Sequence, residues 1–93
     1  MGNVSCFTLK GCNVFFNSMD HHPPHIHVQH VQSGWQIRVF IETTTLEILD
    51  YTFKYPRNGN VRISGKLQQG LREKIVSHRE KLLKEWNNKV VEV

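Results

Sequence analysis

The chain has 93 residues, of which 39% are hydrophobic and 22% charged, and a formal net charge of +4. That suits one domain over residues 1–93 with an ordinary globular composition. No apolar run approaches the roughly 18 residues of a membrane helix, and no charged leader precedes an apolar stretch, so a cytoplasmic protein with no membrane partner is expected.

Met1-Gly2 opens like a myristoylation site, but Cys6 stands where that motif wants Ser or Thr. Cys6 and Cys12 make no CxxC pair and read as reduced structural thiols, with a bridge between them left open. The sequence pI near 9.3 favours anionic partners: nucleic acid, an acidic protein or a phosphorylated ligand.

In chain order, Cys12-Asn-Val-Phe-Phe-Asn17 is rich in β-formers and predicts a first strand. Residues 18–24 form a loop, because Pro23 and Pro24 hold extended backbone and exclude helix before them. Residues 25–30 alternate and predict a second strand. Ser33-Gly34 marks a turn. Trp35, Ile37, Val39 and Ile41 then alternate with polar residues, which predicts a strand with its odd-numbered face in the core. After a turn at Thr43-Thr44-Thr45, residues 46–55 read as strand. Asn58-Gly59 predicts a hairpin that returns through residues 61–64.

From there the period changes. Leu71, Ile75, His78, Leu82 and Trp86 fall on one helical stripe, so one amphipathic helix is expected over about residues 68–88. The architecture expected is α+β: a small antiparallel sheet of four to five strands covered by one long C-terminal helix.

Five of the six histidines lie between Asp20 and His30. Histidine changes charge near neutral pH and is the commonest metal ligand. On a strand, residues i and i+2 share a face, so His25 and His27 project side by side, away from Ile26 and Val28. Two schemes follow. A divalent metal would take His25 and His27, with Asp20, His21 or His22 as the third ligand, and leave a position for water. Without metal, two histidines act as general base and general acid on RNA, which carries its own 2′-hydroxyl nucleophile. Arg38, Lys66 and Lys74 are the flanking cations considered, and spacing does not select among them.

His78 on the helical stripe reads either as a packing residue or as a further member of the site. Tyr51, Phe53 and Tyr55, beside Lys54 and Arg57, read as core packing rather than as a base-stacking platform. Trp35 and Trp86 read as packing residues.

Asp20-His21-His22-Pro23-Pro24-His25-Ile26-His27 resembles the Asp-His-x-Pro-Pro-His-x-His signature of a small bacterial domain-of-unknown-function family, DUF4160. Val4-Ser5 with Phe7, Thr45-Leu46-Glu47-Ile48-Leu49, Gly65-Lys66-Leu67, and Ser77-His78-Arg79-Glu80 with Leu82-Leu83 and Trp86-Asn87 are similar to other parts of it. Leu46 replaces a turn glycine, Gln68 stands where proline is usual, and residues 50–64 are longer than the family's connection. The resemblance implies a toxin–antitoxin context and hence an antitoxin-like protein partner, and it adds His78 to the site.

The expected function is a toxin-like protein acting on nucleic acid, RNA foremost, as a ribonuclease. Its candidate catalytic residues are His25, His27, His21, His78 and Asp20; any metal would sit on His25, His27 and Asp20. The rivals are a non-catalytic module binding protein or nucleic acid, and a metal-binding regulator.

Overall fold

The computed structural model describes residues 2–57 and 61–90. Within them five strands form one antiparallel sheet in the order β1-β2-β3-β4-β5: β1 (Gly2–Asn3), β2 (Cys12–Phe16), β3 (His25–His30), β4 (Gln36–Phe40) and β5 (Tyr51–Tyr55). Two helices follow, α1 (Gly65–Ser77) and α2 (Arg79–Lys89). The α+β architecture is as expected; the single long helix is not.

Alternation sorts the sheet into two faces. Val14 pairs with Val28, Val28 with Ile37, and Ile26 with Val39. These residues, with Phe16, are buried together with Leu71 and Ile75 of α1 and Leu82 and Trp86 of α2. The helices therefore cover that face. The odd-numbered residues Trp35, Ile37, Val39 and Ile41 are all buried, as their alternation requires. The opposite face carries His25, His27, Phe15, Arg38 and Thr52, and no element of the described residues packs over it as a layer.

The helix breaks at His78, whose backbone sits at φ −116°, ψ 16°. Side chains crowd the carbonyls there: Ser77 Oγ donates to Glu73 O at 2.7 Å, and His78 Nδ1 donates at 2.8 Å to Lys74 O, which also keeps the His78 backbone N–H at 3.0 Å. Such side-chain bonds compete with the helical ladder. Arg79 then ties the start of α2 to the carbonyls of Ile41 and Thr44. At the other end α1 starts ahead of Gln68, because Ser64 Oγ caps it by accepting the Leu67 N–H at 3.2 Å.

Two strand expectations are corrected. Within residues 46–55 only β5 is strand. Thr45 Oγ1 accepts the N–H groups of Glu47 and Ile48, and Thr44 Oγ1 accepts that of Asp50. Those groups are thereby removed from any ladder. Residues 61–64 run without strand pairing, and the Asn58-Gly59 turn lies outside the described residues. No helix among the described residues is long and apolar enough to cross a membrane.

Candidate functional site

His25 opens β3 and His27 follows two residues on, so both rings leave the sheet on the face away from the helical layer. Asp20 reaches them from the preceding loop. That loop closes on itself: the Asp20 N–H donates to Asn17 O, and the Asn17 N–H donates to Asp20 Oδ2, both at 3.1 Å. Asp20 Oδ2 lies 2.9 Å from His27 Nε2, and Asp20 Oδ1 lies 3.5 Å from His25 Nε2. One ligand atom from each of the three residues lies within 4.8 Å of the other two.

The cluster is nearly closed to solvent. Side-chain exposure is 1% for His27, 8% for His25 and 10% for Asp20. Aromatic rings build its walls. Phe15 stacks on His27 at a centroid distance of 5.2 Å, Phe40 lies 5.8 Å from His25, and Trp86 lies 5.4 Å from His25.

The proton positions follow from the partners. His25 Nδ1 is 2.9 Å from Pro23 O, a carbonyl that only accepts, so Nδ1 carries the proton. In the neutral ring Nε2 then turns a lone pair toward Asp20. Burial pushes the pKa of His27 down, against the hydrogen bond and charge of Asp20, with the charges of His25 and Lys54 adding to the fall. That balance favours the neutral ring. Its Nε2 lies between Asp20 and Asn17 Nδ2, the latter at 3.2 Å, while its Nδ1 is buried with no partner among the described residues. As the Nε2–H tautomer the ring donates to Asp20, the charged partner, and cannot then accept from the Asn17 amide.

Two imidazoles and one carboxylate facing each other are the donor set of a 2-His-1-carboxylate metal site. The bond from His25 Nδ1–H to a backbone carbonyl is the outer contact that fixes such a ligand. As direct general acid and base the rings are poorly placed. His27 exposes 1% of its side chain and leaves a polymer little of the ring to meet, whereas a small cation needs only the gap between the donors.

The remaining candidates sit elsewhere. His21 is exposed and outside the three-residue cluster. His22, also exposed, has its ring 5.6 Å from Trp86. His78 packs on Phe7 at 5.5 Å and bonds Lys74 and Ser77; none of these contacts is with Asp20, His25 or His27. Among the contacts of the helices, Trp86 is the one at the site, its ring 5.4 Å from that of His25 at the start of β3.

Of the cations Arg38, Lys66 and Lys74, Arg38 is the direct cross-strand partner of His27. Lys66 and Lys74 belong to α1, behind the sheet. Sequence reasoning missed Asn17, Phe15 and Phe40. The Asn-x-x-Asp spacing of residues 17–20, a pattern that folds loops onto themselves, is the signal that could have found Asn17. Cysteine chemistry is disfavoured: burial, then the Glu85 carboxylate, pushes the Cys6 thiol up to about 11.

A family model, Domain of unknown function (DUF4160), matches residues 11–87, and the chain belongs to that family. The matched span holds Asp20, His25, His27, His78 and Trp86; Val4, Ser5 and Phe7 precede it. No curated protein and no solved structure matches the chain.

Proposed function

We propose that this member of a family without an assigned activity binds one divalent transition-metal ion at Asp20, His25 and His27, and uses it to cleave RNA as the toxin-like partner of an antitoxin protein. The observation that carries the reading is the convergence of three donor atoms within 4.8 Å, with one histidine already proton-locked on a carbonyl. Depression of the His27 pKa favours the same state, because a metal takes the neutral ring. Binding at His27 Nε2 moves the proton to the unpartnered Nδ1, a cost of about 1–3 kcal/mol that metal–ligand bonds exceed.

A cation held there supplies Lewis acidity and a water of pKa about 7. The chain's own part is to fix the two rings, to exclude bulk water with Phe15, Phe40 and Trp86, and to leave Asp20 as the most open of the three. RNA brings the 2′-hydroxyl nucleophile. The basic balance of the chain and the toxin–antitoxin setting implied by its family resemblance support RNA as substrate and an antitoxin as partner.

The test is metal content by mass spectrometry, paired with RNA cleavage and growth on induced expression. One equivalent of zinc, manganese or iron is expected, lost in His25→Gln and Asp20→Asn together with cleavage and growth inhibition. Cleavage by demetallated protein, or by a folded Asp20→Asn protein at the parental rate, overturns the reading.

A further inference from the structure

The open face of the sheet carries a second feature beside the histidine centre. A groove of about 360 Å³ is lined by Arg38, Phe53, Lys54, Tyr55 and Arg57. Three of these five are cations. Among the described residues none of the three pairs with a carboxylate, whereas Asp20, Asp50 and Glu85 are all engaged. Tyr55 is 56% exposed, a large ring presented to solvent. Tyr51 and Phe53, by contrast, pack against the core, as their sequence pattern suggests.

The groove and the centre share one surface. Arg38 stands directly opposite His27 across β3 and β4, and Thr52 follows opposite Arg38 on β5. Directly opposed residues have Cβ atoms about 4.5–5.5 Å apart. A register shift between Gln36 and Ile37, opposite residues 53–55 of β5, displaces this end of the strand. Such irregularities re-aim side chains at sheet edges.

We propose that Arg38, Lys54 and Arg57 form a phosphate cradle that holds single-stranded RNA across the open sheet face, one base stacking on Tyr55. The substrate class rests on the function proposed above; the site and its residues do not. Charge decides the occupant: unpaired cations in one groove fit a polyanion. The aromatic decides the strandedness, because a ring stacks only on a base that is already unstacked. The cross-strand position of Arg38 then brings a bound backbone alongside the His27 end of the face.

Binding of a fluorescein-labelled decauridylate, followed by anisotropy in EDTA, tests this without cleavage. Three phosphate contacts on a single strand predict a salt slope near −2 in a log–log plot. Replacing Arg38, Lys54 and Arg57 together by Gln should weaken binding by about tenfold or more at 0.1 M salt and flatten the slope by about 2. Tyr55→Ala should weaken it by about fivefold with the slope unchanged. Lys66→Gln with Lys74→Gln, behind the sheet, should bind as the parent.

Parental affinity in the triple variant overturns the cradle, as does a duplex of equal length binding as tightly as the single strand. Failure of the parent to bind at all does the same. RNA binding that depends on the three cations, in a protein that holds no metal, removes the metal centre and leaves the cradle standing. Full metal occupancy with RNA binding indifferent to those cations does the reverse.

Discussion

By spacing His78 and Trp86 both read as packing residues, and only the family resemblance adds His78 to the site. Both lie on the helical stripe, and a polar ring there invites a functional reading. Yet His78 spends its Nδ1 proton on Lys74 O and its ring on Phe7, at the break between α1 and α2. Trp86, two turns on, reaches the ring of His25. His78→Ala should therefore cost about 1 kcal/mol, one hydrogen bond and part of a ring contact, in urea unfolding. On the metal-binding reading proposed above, metal content should stay at the parental stoichiometry. A folded His78→Ala protein that has lost its metal would instead place His78 in the centre. The difference between the two residues was not legible, because a stripe gives azimuth around a helix and not position along the sheet: Leu71, Ile75, Leu82 and Trp86 all stay buried, but only Trp86 reaches the start of β3.

At the scale of elements, α2 is the support of the site, and Trp86 is its contact. The indole is buried, meets Phe16 edge-on at 6.2 Å, and lies against His25 at the start of β3. Replacement of a buried tryptophan by alanine removes both apolar burial and the wall of the cluster. Trp86→Ala should lose about 3–5 kcal/mol of unfolding free energy in urea, a large share of the 5–15 kcal/mol typical of domains. A loss below about 1 kcal/mol would mean that α2 is only loosely docked.

The strands marked by alternation, 25–30 and 35–41, and the one marked by β-formers, 12–17, all appear, the first at its full length and the others one residue shorter at one or both ends. Residues 46–50 were not, because Thr44 and Thr45 capture backbone N–H groups by local hydroxyl bonds that hydropathy does not register. For the site, i,i+2 alternation paired His25 with His27, and Asp20 was a named third ligand. The choice of Asp20 over His21 and His22 needed the loop closure by Asn17.

Over the whole molecule, the two ends of the described chain are clasped by one carboxylate. Glu85 on α2 accepts the N–H of Ser5 at 2.7 Å and of Cys6 at 3.1 Å, and its partner Lys89 lies at 2.7 Å. Lys89 Nζ also donates to Asn3 O and Ser5 Oγ, so the segment after β1 is held to the last helix by charged bonds. Burial alone would raise the Glu85 pKa, but the Lys89 ammonium and the two N–H donors, with the Cys6 side chain, outweigh it and hold the carboxyl down at about 2. Because the folded pKa lies below the ordinary 4.5, the unfolded chain binds the proton first as pH falls. The stabilisation is complete above about pH 4.5 and drains away toward pH 2. It is on the order of 2 kcal/mol for a group this little exposed. Glu85→Gln should unfold earlier in urea by that amount at pH 7, and the difference from the parent should vanish near pH 2. An equal gap between the two proteins at pH 7 and pH 2 would show that the clasp works by shape, with no contribution from the charge on Glu85.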